Sequence, residues 1–347
     1  MTKNRTWKVV LTGGAGFIGS HLLDELIRVG LGTSDLASDL RSALGFQRME
    51  IHVVDNFLTG KRENLDDVLS AYDAADLARQ GITVEIHEAD IRDRSTLRDI
   101  LQGAHHILHQ AALPSVQKSV ERPLDTDSIN VHGTLTLLEL AKDQGIQRVV
   151  FASSSSVYGD TPTLPKHEEM PPAPLSPYAV SKLTGEYYCK VYAHIHGLST
   201  VILRYFNVFG PRQDPTSQYA AVIPKFITHA LEGKPLPVFG DGTQSRDFTY
   251  VSNVVRGNLL ALIRPHIDGR VYNIATGTRI HLNELIETLR RLLPDRTLEV
   301  TYLPPRKGDI KHSLASIERA RSDLGYEPVV SFEEGLERTL AWYKQRR

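Results

Sequence analysis

The sequence predicts an α/β protein: a doubly wound, Rossmann-type parallel sheet with a smaller C-terminal α/β lobe. Three observations carry that reading. Short apolar runs suited to buried strands alternate with stretches of helical periodicity. The turn Thr12-Gly13-Gly14-Ala15-Gly16-Phe17-Ile18-Gly19 follows the first such run and opens the first helix. A second strand, over 51–55, ends in the acid Asp55.

Taken in order, Val9-Val10-Leu11 reads as a buried strand and 17–29 as a helix with apolar residues at helical spacing. Further strands are read at 51–55, 84–86, 106–109 and 148–151, with a helical stretch over 130–144. Another strand, 199–203, precedes Arg204-Tyr205-Phe206-Asn207. Prolines and loops then cluster over 211–242, and 302–309 is again punctuated by Pro and Gly. Residues 1–205 are therefore read as a nucleotide-binding domain that carries the catalytic residues. Residues 206–347 are read mostly as a lobe that closes over a ligand, with some segments returning to the first domain. The link 31–48 is long for its place, and a surface helix or a mobile insertion is the default for it.

At 347 residues the chain exceeds one average domain of ~150 residues, so about two are expected. Forty basic residues against 41 acidic ones leave no bulk charge to hold nucleic acid or a membrane surface. The single cysteine, Cys189, excludes an intrachain disulfide and a cysteine-based metal site, and reads as a packed thiol in a reducing compartment. The polar stretch 1–8 runs into a strand and glycines, which is neither a signal peptide nor a membrane span; the expected location is the cytoplasm. His105, His106 and His109 lie in and just before a strand with no matching carboxylate motif, so packing roles and no metal are expected.

The glycine turn is a candidate dinucleotide site. Its glycines at 13, 16 and 19 let the backbone approach a pyrophosphate, and the helix start supplies unpaired amides and partial positive charge. Asp55 is placed to accept ribose hydroxyls and to repel the extra phosphate of NADP, which favours NAD; Lys61 and Arg62 lie close enough to serve that phosphate instead. Asp90 and Ile91 either frame the adenine or form a solvated loop. Tyr178 and Lys182 stand one helical turn apart, so a phenol and an ammonium share a face. The cation is expected to lower the phenol's pKa from ~10 so that it can act as a base, while a hydroxyl of the cluster Ser153 to Ser156 holds the substrate oxygen.

These residues belong to stretches that resemble the extended short-chain dehydrogenase/reductase family, and within it the nucleotide-sugar 4-epimerases. The stretches are TGGAGFIGSHL at 12–22, HQAA at 109–112, SSSSVYGD at 153–160, SPYAVSK at 176–182, RYFNVFGPRQDP at 204–215, SRDFTYVSNV at 245–254 and RKGDIKHS at 306–313. The resemblance covers nearly the whole chain and implies a homodimer formed through two helices packed as a bundle. It implies Tyr178 as the base, Lys182 on the nicotinamide ribose, and Ser154 as the catalytic hydroxyl, with Ser155 and Ser156 as neighbouring alternatives. Cofactor contacts are implied at Gly13, Gly16, Phe17, Ile18, Gly19, Asp55, Asn56, Asp90, Ile91, Gln110, Ala111, Ala112, Asn130 and Tyr205. Asn207, Arg246 and Arg306 would hold the substrate diphosphate. Val222, Val238, Asp309 and Ser313 are implied as further substrate contacts. Phe239 matches a uracil-contacting segment, with core packing as its alternative.

The implied chemistry is NAD-dependent inversion at C4 of a UDP-sugar through a transient 4-keto intermediate. Ser155 and Ser156 stand where related 4,6-dehydratases carry an Asp-Glu pair, and Ser156 where uronate decarboxylases carry a Glu, which argues against both. Ser313 occupies a position where some relatives carry a bulky tyrosine, and a small side chain leaves room for an N-acetyl group. With the stretches 212–215 and 219–225, this favours UDP-GlcNAc and UDP-GalNAc, with UDP-glucose and UDP-galactose as further candidates. A UDP-glucuronate 4-epimerase or another nucleotide-sugar oxidoreductase is the alternative, and a nucleotide-binding regulatory protein the non-enzymatic one.

Overall fold

The structure is a computed structural model that describes residues 5–215, 221–304 and 311–346. The first half runs β1 (Thr6–Thr12), α1 (Phe17–Leu31), α2 (Ala37–Leu44), β2 (Arg48–Asp55), α3 (Arg62–Leu69), α4 (Ala74–Arg79), β3 (Ile82–Glu88), α5 (Arg94–Leu101), β4 (His106–His109), α6 (Val116–Glu121), α7 (Pro123–Asp127), α8 (Gly133–Asp143) and β5 (Arg148–Ser154). There follow α9 (Pro177–His196), β6 (Thr200–Tyr205), β7 (Val208–Phe209), α10 (Val222–Glu232), β8 (Leu236–Phe239), β9 (Ser245–Arg246), β10 (Thr249–Tyr250) and α11 (Val251–Ile263). The chain ends with β11 (Arg270–Ile274), β12 (Ile280–His281), α12 (Leu282–Leu292), β13 (Val300–Leu303) and α13 (Phe332–Gln345).

Seven of these strands form one parallel sheet in the order β11-β6-β5-β4-β1-β2-β3. The order reverses direction between β1 and β4, the place where doubly wound sheets bind ligands beyond the strand ends. Its strands are apolar on both sides because both faces are covered. Val9, Leu11, Ile51 and Val53 pack toward α1 and α11, whereas Val10, Val54, Ile107 and Val149 pack toward α5 and α8. A third core unites α10, α12, α13 and β8.

Although it follows Tyr205 in sequence, β11 pairs with β6 and so completes the large sheet. The long link after α1 holds α2, whose Ala37 and Leu40 are buried with Leu36, so part of it is a docked surface helix. Cys189 is fully buried in α9, and burial pushes its thiol up, which fits a packed thiol. His106 Nδ1 accepts from Trp7 Nε1 (2.9 Å), and the ring nitrogens of His109 bond the Thr12 (2.7 Å) and Thr134 (2.9 Å) hydroxyls. Among the described residues no helix is long and apolar enough to cross a membrane.

Candidate active site

Two adjoining cavities open at the C-terminal ends of the strands. The first is lined by the glycine turn, the ends of β2, β4 and β5, and α9; the second lies between the sheet and the C-terminal lobe. Phe17, Ile18, Pro114, Ser153, Tyr178 and Tyr205 line both. Tyr178 therefore stands where the two meet.

In the first cavity the turn packs so closely that a Cβ on Gly19 would lie 2.1 Å from the Gly13 carbonyl oxygen. Only hydrogen fits there, which leaves the start of α1 open to an anion. Asp55 accepts from the Ala15 amide (2.9 Å, Oδ2) and the Phe57 amide (2.8 Å, Oδ1). Each carboxylate oxygen keeps a lone pair for a ribose hydroxyl. Burial raises Asp55 above the usual carboxylate range, and those two amide bonds oppose the shift. Gly60 is part of the same arrangement, since a Cβ there would lie 2.8 Å from Asp55 Oδ2.

Of the sequence-derived cofactor residues, Gly13, Gly16, Phe17, Ile18, Gly19, Asp55, Asn56, Ile91, Gln110, Ala111, Ala112, Tyr178, Lys182 and Tyr205 line this cavity. Two do not. Asp90 turns its carboxylate to Arg92 (2.7 and 2.8 Å) and to Asn56 Nδ2 (2.9 Å). The Arg92 bond is the chief reason that its pKa falls to about 2, so Asp90 braces the loop rather than facing the cavity. Asn130, buried in a π-helical turn, accepts from the Leu113 amide (2.8 Å) and donates to Ser181 Oγ (3.0 Å). It ties the loop after β4 to α9. Sequence reasoning missed Leu58, Thr59, Gly60, Leu113 and Pro114, which line the wall. Gly60, soon after the acidic strand end, was the readable signal among them.

Ser176 caps α9 by accepting from the Ala179 amide (3.1 Å), and Pro177 fits the first helical turn. The helix delivers Tyr178 and Lys182 beneath the end of β5. Ser154 closes β5 and accepts from the Ser156 amide (3.1 Å), and it lines the second cavity together with Tyr178. Burial raises Tyr178 above its ordinary value, and the neighbouring Ser154 hydroxyl works against that. The expected lowering by Lys182 is thus corrected for the protein alone: Lys182 Nζ donates to the Ala152 carbonyl (2.8 Å) above the Phe151 ring, and desolvation dominates. Burial also brings Lys182 down to about 8. Beneath these groups, buried Glu186 accepts from Ser153 Oγ (2.6 Å), Arg204 Nε (2.8 Å) and Arg204 Nη2 (2.7 Å), locking α9 to β5 and β6.

The second cavity is the wider, about 2180 Å³ of open space against about 990 Å³. Ser154, Ser155, Ser156, Tyr178, Asn207, Arg246 and Ser313 line it, and the Ser156 hydroxyl is buried there with no protein partner. Asn207 holds a left-handed backbone, φ 34°. Val238 does not reach the cavity, being fully buried in the C-terminal core. Val222 packs against that core, and half-buried Phe239 stands outside the lining. Arg306 and Asp309 lie outside the described residues. Lys166, Gln213 and His312 line the wall without having been singled out. Lys166 arrives through a bridge to Ala315, and His312 through a bridge to Ser245, long-range pairings with no local signature. Among the described lining residues Glu121 is the sole carboxylate.

Among the described residues no His or carboxylate metal set lies in either cavity. The first cavity fits a dinucleotide instead, with a glycine cradle at a helix start and a strand-end carboxylate. This is the architecture of a nucleotide-dependent enzyme of the short-chain dehydrogenase/reductase kind. The family model described as "NAD dependent epimerase/dehydratase family" matches residues 9–275. The chain is 35% identical over 337 residues to the putative UDP-glucose 4-epimerase of Methanocaldococcus jannaschii, covering 97% of this chain and 98% of that one. It is 35% identical over 341 residues to the UDP-glucuronate 4-epimerase of Thermodesulfobacterium geofontis, covering 97% and 96%. It also superposes, with a TM-score of 0.86 and 38% identity over 99% of this chain and 100% of the other, on the UDP-N-acetylglucosamine 4-epimerase from Methanobrevibacter ruminantium in complex with UDP-N-acetylmuramic acid. The chain belongs to the NAD dependent epimerase/dehydratase family, as an enzyme of its epimerase branch with NAD as cofactor.

Proposed function

We propose that this enzyme inverts C4 of a UDP-N-acetylhexosamine, interconverting UDP-GlcNAc and UDP-GalNAc, with room for UDP-glucose and UDP-galactose. The observation that carries the C4 chemistry is the placing of Tyr178 where the two cavities meet, with Lys182 on the wall of the first and Ser154 on the wall of the second. NAD supplies the acceptor and donor of hydride. Tyr178 takes the 4-hydroxyl proton and later returns it, while Ser154 holds the same oxygen. Lys182, anchored at Ala152, offers its remaining protons to ribose hydroxyls. Arg246 provides a guanidinium for the diphosphate. Among the described lining residues no carboxylate takes the place of Ser155 or Ser156, which argues against elimination of water or loss of CO2. The small Ser313 in the lining supports the N-acetyl substrate.

A second reading, a UDP-uronate 4-epimerase, rests on Lys166, a buried lysine of the cavity wall whose ammonium, held by the Thr161 carbonyl and hydroxyl, would have to turn to a carboxylate, and whose backbone amide bonds the Leu314 carbonyl (2.8 Å), next to Ser313. Separate incubations with UDP-GalNAc, UDP-galactose and UDP-galacturonate, read by chromatography or proton NMR, decide between them. Conversion chiefly of UDP-GalNAc is expected. Conversion of UDP-galacturonate alone would replace the N-acetyl reading by the uronate one.

We also propose a homodimer that buries one face of α9. Val180, Tyr187, Val191 and Ile195 are exposed on that helix at spacings that share a face, beside exposed Leu124 on α7. Light scattering should give twice the chain mass, and Val191→Glu should shift the mass toward one chain. A monomeric wild type would end this proposal.

A further inference from the structure

Away from both cavities, β2 and the edge strand β3 bring His52, Glu85 and His87 together. Strand register does this, because His52 pairs with Glu85 and Val54 with His87, which puts the three side chains on one face. His52 Nδ1 lies 2.9 Å from His87 Nε2, and Glu85 Oε2 lies 3.7 Å from each of these two nitrogens. The centre of a triangle with those sides is about 2.0 Å from every corner, within the ~2.0–2.2 Å of zinc–nitrogen and zinc–oxygen bonds. The nearly parallel imidazoles (5° between planes) now point these nitrogens at one another. Coordination would tilt both rings toward Glu85 and move the proton between them to a distal ring nitrogen.

Two imidazoles and one carboxylate suit zinc and its divalent neighbours, whereas magnesium and calcium take oxygen sets. His52 Nε2, the far nitrogen, faces Glu50 Oε2 at 4.0 Å, on the side where an outer carboxylate orients a metal-bound histidine. Lys8 is the cation that faces the group. Its ammonium is engaged by the Gln102 carbonyl (2.9 Å), and its charge is countered by Glu50 and Glu85.

We propose that His52, Glu85 and His87 form a binding site for one divalent transition-metal ion, zinc in the first instance, with water completing its coordination and the ion pinning edge strand β3 to β2. This pair of strands carries Asp55 and leads into Ala89, both on the wall of the nucleotide cavity. The site is therefore a structural support for the Asp55 side of that cavity, independent of which sugar is turned over.

The test uses full-length, tag-free protein stripped with chelator, titrated with cobalt(II) and then zinc(II). One equivalent of cobalt should give visible d–d absorption that zinc removes, and zinc should raise the thermal midpoint. Glu85→Gln and His87→Ala alter side chains that are not buried, so the variants should keep their circular dichroism and NAD binding while metal affinity falls at least ~10-fold. His194→Ala, elsewhere on the surface, should leave affinity unchanged. Absent d–d bands in the wild type, or equal affinity in the Glu85 and His87 variants, would overturn the proposal.

Discussion

Tyr178 meets two opposed influences, burial that raises its pKa and the neighbouring Ser154 hydroxyl that lowers it. Ser154→Ala should therefore move the phenol's ionisation to higher pH as well as slow turnover, and a pH profile of kcat/KM unchanged from wild type would contradict that role. Tyr178→Phe removes the proton acceptor and should lower turnover by ~10²–10⁴-fold with NAD still bound, as measured by assay and by nucleotide released on denaturation. The spacing of Tyr178 and Lys182 was legible because one helical turn is a local fact. Their electrostatics were not, because the direction of each shift depends on burial and on Lys182 turning to the Ala152 carbonyl. Asn130 shows the same limit: its place near the site was legible, but its action through Leu113 and Ser181 appears only once three segments meet.

The β1–turn–α1 element is the part that sequence specifies most fully, since strand, glycines and helix start are contiguous. Its tightest point is Gly19, where a methyl group would meet backbone and not a yielding side chain. Gly19→Ala should abolish or severely weaken NAD binding by isothermal titration, and affinity within twofold of wild type would refute that account. The elements around the second cavity were less legible. Val238 sits on a strand whose alternate residues face opposite ways, and pairing with β13 and packing on α10 turn this side chain into the core. Lys166 and His312 reach the wall only through pairings with Ala315 and Ser245, far away in sequence.

Across the whole molecule, burial holds His21, His106 and His109 at about 3. An unfolded chain binds protons at these histidines near pH ~6.5, whereas the folded one resists until about 3. Their stabilising contribution is thus complete above that range and lost progressively as pH falls toward 3, at up to ~1.4 kcal/mol per pH unit for each group. The thermal midpoint should fall between pH 7 and pH 5, and His109→Gln should flatten that fall; an equal slope in the variant would exclude His109 as a contributor. By itself the sequence determined the alternation of strands and helices, the parallel sheet, the glycine turn that opens α1, and the placing of Tyr178 and Lys182 one helical turn apart. Each of these is written in local periodicity, in backbone freedom or in a short contiguous motif. Tertiary structure alone decided that β11 completes the sheet, that β3 is its edge, that His52 meets Glu85 and His87, and which residues of the later segments face the second cavity. Those outcomes depend on strand register and burial between segments distant in sequence, and no local pattern encodes them.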